Sequence, residues 1–420
     1  PIKVTYEKEN NVIVRTRVAL YTFDGKTLEK EEVLSGNVAM VNVLSLYPAK
    51  KAFTVNARNE FTLAADMPAF DTTDAQIYFW SNGFVLNKTK ILGFNSATRT
   101  VTLAEGLYHP ITMNLKADGT YYLSWPDDKR MEILNSKTFL SENEFIFDAQ
   151  DNVYLKLSAG ARLSDYTITA PKQTQVIKVG GTVEKPVTHV VLDRLDISGG
   201  KAIDHFMFSH LDLSIYDVPP QYSAVYLEHT ENITVRNSYI HDTGAAGITL
   251  FGVSRYNVVS NNLVVDIGSD GIVLNGDDVP SDLSKPNPSY RPRFLSEKNQ
   301  IVHNVVRNTG VVFGEADGIH LIQTADNDVS YNTVSHTGYN GILMMGLQDL
   351  TMGYRAFRYQ KPPADYDRLT HNYLKNNRIT HNDISDIMTQ GNDGGAIYTH
   401  SNGINNTISH NYIHDVLVAA

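Results

Sequence analysis

The sequence predicts an all-β protein organised around a solenoid, a parallel β-helix with an asparagine ladder, and three observations predict it. First, a short unit is written six times between Glu228 and the C-terminus: NSYIHDTGAAGITLFG from Asn237, NNLVVDIGSDGIVLNG from Asn261, HNVVRNTGVVFGEADGIHL from His303, YNTVSHTGYNGILMMG from Tyr331, HNDISDIMTQGNDGGAIYTHS from His381 and HNYIHDV from His410. Repeated units of this length stack, because one copy cannot bury its apolar face alone. Second, each unit holds two apolar, β-branched-rich runs of about four residues, such as Ile248 to Phe251, too short for helices and without a 3.6-residue period. Third, the residue six before the corner glycines Gly268, Gly310 and Gly338 is Asn262, Asn304 and Asn332, the matching later positions are Asn382 and Asn411, and the first unit has Ser238 there. Identical amides stacked about 4.8 Å apart hydrogen-bond along the stack and satisfy a buried corner.

Residues 1–51 open with a β-like alternation (Val12, Val14, Thr16, Val18) and a hairpin signal at Phe23-Asp24-Gly25-Lys26. They are read either as the first rungs of the solenoid or as an edge of the unit that follows. Residues 52–190 lack the solenoid register and carry turns at Asp118-Gly119 and Pro126-Asp127-Asp128, which predicts an inserted β-sandwich or barrel. Its aromatic residues Phe79, Trp80, Phe84, Tyr108, Tyr121, Tyr122 and Trp125 are read chiefly as core, with stacking on sugar rings the alternative. Residues 191–420 form the solenoid, entered through Leu192 to Gly199. Gly244 to Gly268 is 24 residues and Gly310 to Gly338 is 28, whereas Gly268 to Gly310 is 42. That excess lies in the loop Val279 to Glu297, and a second excess, Leu347 to Lys375, follows the corresponding strand two rungs later. Solenoid insertions collect on one face, often the binding face.

Composition narrows the partners. The net charge of −10, from 36 basic and 46 acidic residues, is spread along the chain, which argues against nucleic acid or an anionic membrane as partner. No apolar run is long enough to span a bilayer as a helix. With no cysteine, disulfides, thiolate metal sites and a cysteine nucleophile are excluded. The chain starts at Pro1 and stops with the sixth unit half written, so both ends are expected to be cut from a longer precursor. Nothing in the sequence sets an oligomeric state.

Aligning the units places Thr249, Val273, His320, Leu343 and Tyr398 in one outward column, because the isoleucines before them point inward with period 2. Two residues before those isoleucines stand Ala246, Asp270, Asp317, Asn340 and, if the fifth unit takes two extra residues, Asp393. One Asp-Gly is a turn signal. Three carboxylates in one column, beside His320, Tyr398, His400 and Glu315, suit a pair acting across a glycosidic bond, in which stacked like charges keep one carboxyl protonated. Arg291, Arg293, Tyr354, Arg355 and Arg358 in the two long loops would wall such a cleft, the cations engaging a carboxylate or sulfate of an acidic glycan. His303, His381 and His410 share the place before the asparagine column, which argues for packing. No compact metal signature is present, so no metal or other cofactor is expected; Asp277-Asp278 is read as a solvated turn, with calcium the alternative.

The order of a β-rich insert, Met131 to Leu157, the segment LDRLDISG and asparagine-ladder coils ending in NDGGAIYTHSNGINNTISHNYIHDV resembles bacterial right-handed β-helix carbohydrate-active enzymes, and is most similar to glycoside hydrolase family 141, which includes α-L-fucosidases and xylanases. The resemblance spans about residues 50–420 and is most specific at Asp393 to Thr399, where it implies Asp393 as a catalytic carboxylate. It implies a secreted, periplasmic or cell-surface glycoside hydrolase acting on an oligo- or polysaccharide. Under this reading Asp393 and Asp317 are the catalytic pair, Asp270 tunes them, and His320 and Tyr398 bind sugar. The alternatives are a lyase or epimerase on a uronate glycan, with His320, Tyr398 and the loop arginines moving protons and neutralising charge, and a non-catalytic glycan-binding adhesin.

Overall fold

In the computed structural model the described backbone comprises residues 59–82, 85–104, 131–149, 152–165, 173–202, 222–276, 296–346, 374–391, 394–400 and 403–416, with further strands among residues 2–57 and at 113–115 and 121–123. The chain divides into two compact units, 1–81 with 87–170, and 82–86 with 171–420. Among the described residues there is no α-helix, and none long and apolar enough to cross a membrane.

In the first unit, Ile2–Glu9, Val12–Tyr21 and Leu28–Ser35 pair antiparallel in a three-stranded sheet, so the alternation at Val12 to Val18 belongs to a meander and not to rungs. A seven-stranded sheet follows. Its inward side buries Phe61, Leu63, Ile77, Phe79, Val101, Leu103, Met131 and Ile133 in one core. Phe79 meets Phe61 edge to face at 5.0 Å, which makes it a core residue. The side chains of Trp80, Phe84, Tyr108, Tyr121, Tyr122 and Trp125 lie outside the described residues, as do both turns of the insert and the hairpin tip at Phe23 to Lys26.

The second unit is a right-handed parallel β-helix with three sheets. Sheet I runs through Ile177–Gly180, Ser223–Glu231, Ala246–Arg255, Ile272–Asn275, Ile319–Ile322, Ile342–Met345 and Ile397–His400. Sheet II begins at Val191–Asp193 and sheet III at Asp196–Ser198, so LDRLDISG is already a full corner of the solenoid. Every rung adds one strand to each sheet in parallel register, as in Ile248↔Ile272↔Ile319↔Ile342↔Ile397. The inward columns, such as Val235, Val259, Ile301, Val329 and Ile379, form one continuous buried core. Each of these side chains contributes about 1.5–3 kcal/mol by leaving water.

Two asparagine ladders run along the solenoid. Asn262, Asn304, Asn332, Asn382 and Asn411 form the expected one: each Nδ2 donates to the next Oδ1 at 3.0 Å, and each backbone N–H donates to the same oxygen. Ser238 completes it, its N–H donating to Asn262 Oδ1. The second, Asn257, Asn299, Asn327, Asn377 and Asn406, bonds the same way at the corner between sheets I and II. It stands five residues before the first in every rung, a constant spacing that the sequence carries and that reading one column alone overlooks. His303, Tyr331, His381 and His410, just before the first ladder, stack ring on ring at 5.1, 4.8 and 4.9 Å, so the three histidines read as packing residues do pack, through a tyrosine that the reading did not include.

Candidate functional site

The site is built at the corner where sheet III feeds sheet I. The register of sheet I sets Ser223, Ala246, Asp270, Asp317, Asn340 and Gly395 in one column. The glycines after it, Gly271, Gly318 and Gly341, are demanded by crowding: a Cβ on Gly318 would collide with Val334 Cγ1 and stand 2.6 Å from Gly341 O. The Asp-Gly pairs are therefore corner chemistry in part. Gly395 takes the place that the sequence assigned to Asp393 by allowing the fifth rung two extra residues; Asp393 itself lies outside the described residues.

Down this column runs a third, mixed ladder. Asp270 Oδ1 accepts the Asp317 N–H at 2.8 Å. Asp317 Oδ1 accepts both the Asn340 N–H at 3.0 Å and the Asn340 Nδ2–H at 2.8 Å, and Asn340 Oδ1 accepts the Gly395 N–H at 2.9 Å. One oxygen of each aspartate thus does structural duty. The other oxygen of Asp317, Oδ2, is buried and has no hydrogen-bond partner among the described residues. His320 reaches it from the outward column of sheet I, with Nδ1 3.5 Å from Asp317 Oδ2 and 3.8 Å from Asp270 Oδ1. One ligand-capable atom from each of Asp270, Asp317 and His320 lies within 4.8 Å of the others.

Glu315 joins this cluster through an insertion. The corner glycine precedes the column residue by two in the rungs of Gly268 and Gly338 but by seven in the rung of Gly310. The extra residues fold back onto the rung below, Val311 N–H donating to Ile267 O and Phe313 N–H to Gly268 O, and carry Glu315 inward until it is buried. That lengthened spacing is its signal in the sequence. Burial pushes the Glu315 and Asp317 carboxyls well above the usual carboxylate range; the charge of Asp270 adds to the effect on Asp317, that of Asp317 adds to it on Glu315, and the Asn340 hydrogen bonds oppose it at Asp317.

The outward column is not a solvent-facing wall. Thr249, Val273, His320 and Leu343 are all buried, although they point away from the isoleucine core. Period 2 fixes which way a side chain points, and burial depends on what covers that face. Asp317 is fully buried, and Asp270 keeps 10% of its side chain exposed. Tyr398 is registered to Leu343, which separates it from His320 by a rung, and it tilts against His400 at 6.0 Å. Burial lowers the His400 pKa. The structure therefore brings together Asp270, Asp317, His320 and Glu315, and sets Tyr398 and His400 two rungs on. Arg291, Arg293, Tyr354, Arg355, Arg358 and Asp277-Asp278 lie outside the described residues. Sequence reasoning missed Asn340 as the donor that holds Asp317, although Asn340 stood in the aligned column.

Three parallel sheets closed around stacked ladders define this chain as a right-handed β-helix protein. It belongs to the right-handed beta helix region family, whose model matches residues 131–278 and 195–357. No curated protein matches it in sequence. Among solved structures it is similar to one described as a glycoside hydrolase, at 15% identity and a TM-score of 0.64, over 99% of this chain and 73% of that one. It also matches a periplasmic alginate epimerase (13% identity, TM-score 0.33, 56% of this chain and 42% of that one) and the catalytic domain of a GH87 α-1,3-glucanase in complex with nigerose (14% identity, TM-score 0.28, 100% and 96%). At these identities the first likeness speaks for the fold.

Proposed function

We propose that the chain is a carbohydrate-active enzyme, a glycoside hydrolase whose reaction centre is the Asp270–Asp317–His320 cluster. One observation carries the reading: Asp317 is held by Asn340 at one oxygen while the other, buried, faces His320, and burial and the charge of Asp270 push its carboxyl well above the usual carboxylate range. A buried carboxyl that holds its proton is what a general acid needs to protonate a leaving glycosidic oxygen. Asp270, the more exposed of the two, is the carboxylate that meets the sugar from the other side. The likeness to a structure described as a glycoside hydrolase over nearly the whole chain agrees with this class.

We take the reaction to run through a covalent intermediate: one carboxyl oxygen of each aspartate lies within 4.8 Å of one of the other's, and enzymes with a carboxylate nucleophile hold their two carboxyl groups closer, at roughly 5–5.5 Å, than those that place a water between them. In this reading Asp270 attacks the anomeric carbon while Asp317 gives its proton to the departing oxygen, and water then releases the sugar with retained configuration. Asp393, two residues before Gly395, enters the proposal from the sequence as a further catalytic carboxylate. The test is release of reducing ends from a panel of glycans: Asp317→Asn and Asp270→Asn should each lose roughly 10²–10⁴ in kcat, and full activity in Asp317→Asn ends the assignment. His320 between two carboxylates supports a second reading, proton abstraction by a uronate lyase or epimerase. An ultraviolet-absorbing unsaturated product separates a lyase from hydrolysis, and solvent-deuterium incorporation without chain cleavage identifies an epimerase.

A further inference from the structure

The corner that gathers Asp270, Asp317 and His320 carries the donor set of a metal site. Sheet I sets the two aspartates on neighbouring rungs, and His320 follows Asp317 by three residues on the strand that leaves the corner. Asp317 is fully buried, and its Oδ2, which has no hydrogen-bond partner among the described residues, faces His320 Nδ1. Among the described residues no lysine or arginine pairs with either aspartate, so two carboxyl groups share this corner with one imidazole. Buried charges are paired or bound to metal.

Distance separates those two cases. His320 Nδ1 stands 3.5 Å from Asp317 Oδ2 and 3.8 Å from Asp270 Oδ1, longer than the roughly 2.7–3.2 Å of a hydrogen bond. Zinc binds nitrogen and oxygen at about 2.0–2.2 Å, so the edges of a tetrahedron around it measure roughly 3.3–3.6 Å. The 3.5 Å contact matches such an edge, and the 3.8 Å contact exceeds it slightly. The neighbours hold the ligand atoms: Asn340 fixes Asp317 through Oδ1, and Asp270 Oδ1 accepts the Asp317 N–H while keeping a second lone pair. Val273 and Leu343, registered on either side of His320, are buried and apolar, so the attraction for a cation is poorly screened. Asp270, with 10% of its side chain exposed, is the way in. No compact motif announces the site, because the first two ligands are 47 residues apart.

We infer that Asp270, Asp317 and His320 bind one divalent cation of the zinc class, and that the bound cation blocks the hydrolysis proposed above by taking the carboxyl oxygens that the reaction uses. The blocking rests on the hydrolase reading; the binding does not. An imidazole nitrogen among three protein donors selects zinc or cobalt over calcium, which takes about six to eight oxygens.

The test is calorimetric titration of the whole, chelator-treated chain with Zn²⁺, in a background carrying His381→Asn and His410→Asn. Those exposed imidazoles, stacked at 4.9 Å, are a competing surface site, and Asn237 and Asn261 already hold the equivalent left-handed position in earlier rungs. One equivalent of zinc should bind saturably, and equimolar calcium should leave it in place. Co²⁺ in the same site should shift the imidazole proton signals of a single histidine, a readout that needs no further substitution. His320→Leu, a side chain the column accommodates at Leu343, and Asp317→Asn should each weaken zinc binding about a hundredfold or more, beyond the cost of losing an outer partner. No saturable zinc, unchanged affinity in either variant, or displacement by equimolar calcium overturns the inference. Turnover lost in Asp317→Asn without zinc binding to the native cluster removes the metal site and keeps the hydrolase reading. Zinc bound as expected without slowing turnover keeps the binding, overturns the blocking and takes the cluster out of the hydrolase reading.

Discussion

Asp317→Asn is the substitution that bears most directly on the candidate site. The asparagine keeps an oxygen to accept both Asn340 hydrogens, at 2.8 and 3.0 Å in the native chain, so the corner ladder survives and only the titratable proton is lost. A carboxyl raised in the folded state is protonated there while the unfolded chain has already released its proton; its contribution to stability is complete below the ordinary aspartate value of 3.8 and is lost as pH rises toward the folded pKa. One proton held only by the native state gives a slope of about −1.4 kcal/mol per pH unit, and two, counting Glu315, about −2.7. The expected result is that Asp317→Asn removes about one proton's worth of this slope and becomes more stable than the native chain toward neutral pH, while Asp317→Asn with Glu315→Gln removes about two. Urea midpoints measured as the pH is raised from the ordinary carboxylate range read this directly. Parallel stability–pH curves for the native chain and Asp317→Asn would refute the account of Asp317 as a carboxyl buried in its protonated form, and with it the general-acid assignment.

The remaining predictions concern the scaffold and the reaction. Asn332→Ala, which deletes two donated and two accepted bonds in the middle of a ladder, should cost about 4 kcal/mol, whereas Asn411→Ala at the partly exposed end, with three bonds, should cost about 2 kcal/mol; equal losses in urea titration would show that the ladder is not cooperative along its length. Gly318→Ala, whose Cβ would collide with Val334 and crowd the Gly341 carbonyl, should lose about 1–3 kcal/mol by overpacking, with Val334→Ala partly relieving it in a double-mutant cycle. If the cluster hydrolyses with Asp270 as nucleophile, proton NMR of the first product should show retained anomeric configuration, and an inverted product would remove Asp270 from that role.

Much of the solenoid can be read from residues that must agree with one another. The column Asn262, Asn304, Asn332, Asn382 and Asn411, with Ser238 at its head, is an amide stack in the structure because each member needs a partner one rung away, and that need writes itself into the spacing. The inward isoleucines and valines obey the same rule, as does the aromatic stack from His303 to His410. The site was legible only in outline. Asp270, Asp317 and His320 stood out as departures from the repeat, but their convergence follows from register, and the exchange of Asp393 for Gly395 in the column turns on how a longer fifth rung lies on the fourth.

The sequence by itself determined the repeat, its buried columns and the residue types that break them, since stacking forces like groups into like places. Only the tertiary structure decided which aspartate oxygen is spent on the corner ladder, that Glu315 folds inward, and that the face carrying His320 is buried. Those outcomes depend on contacts between residues 23 to 47 positions apart and on what covers a sheet, and no local periodicity encodes either.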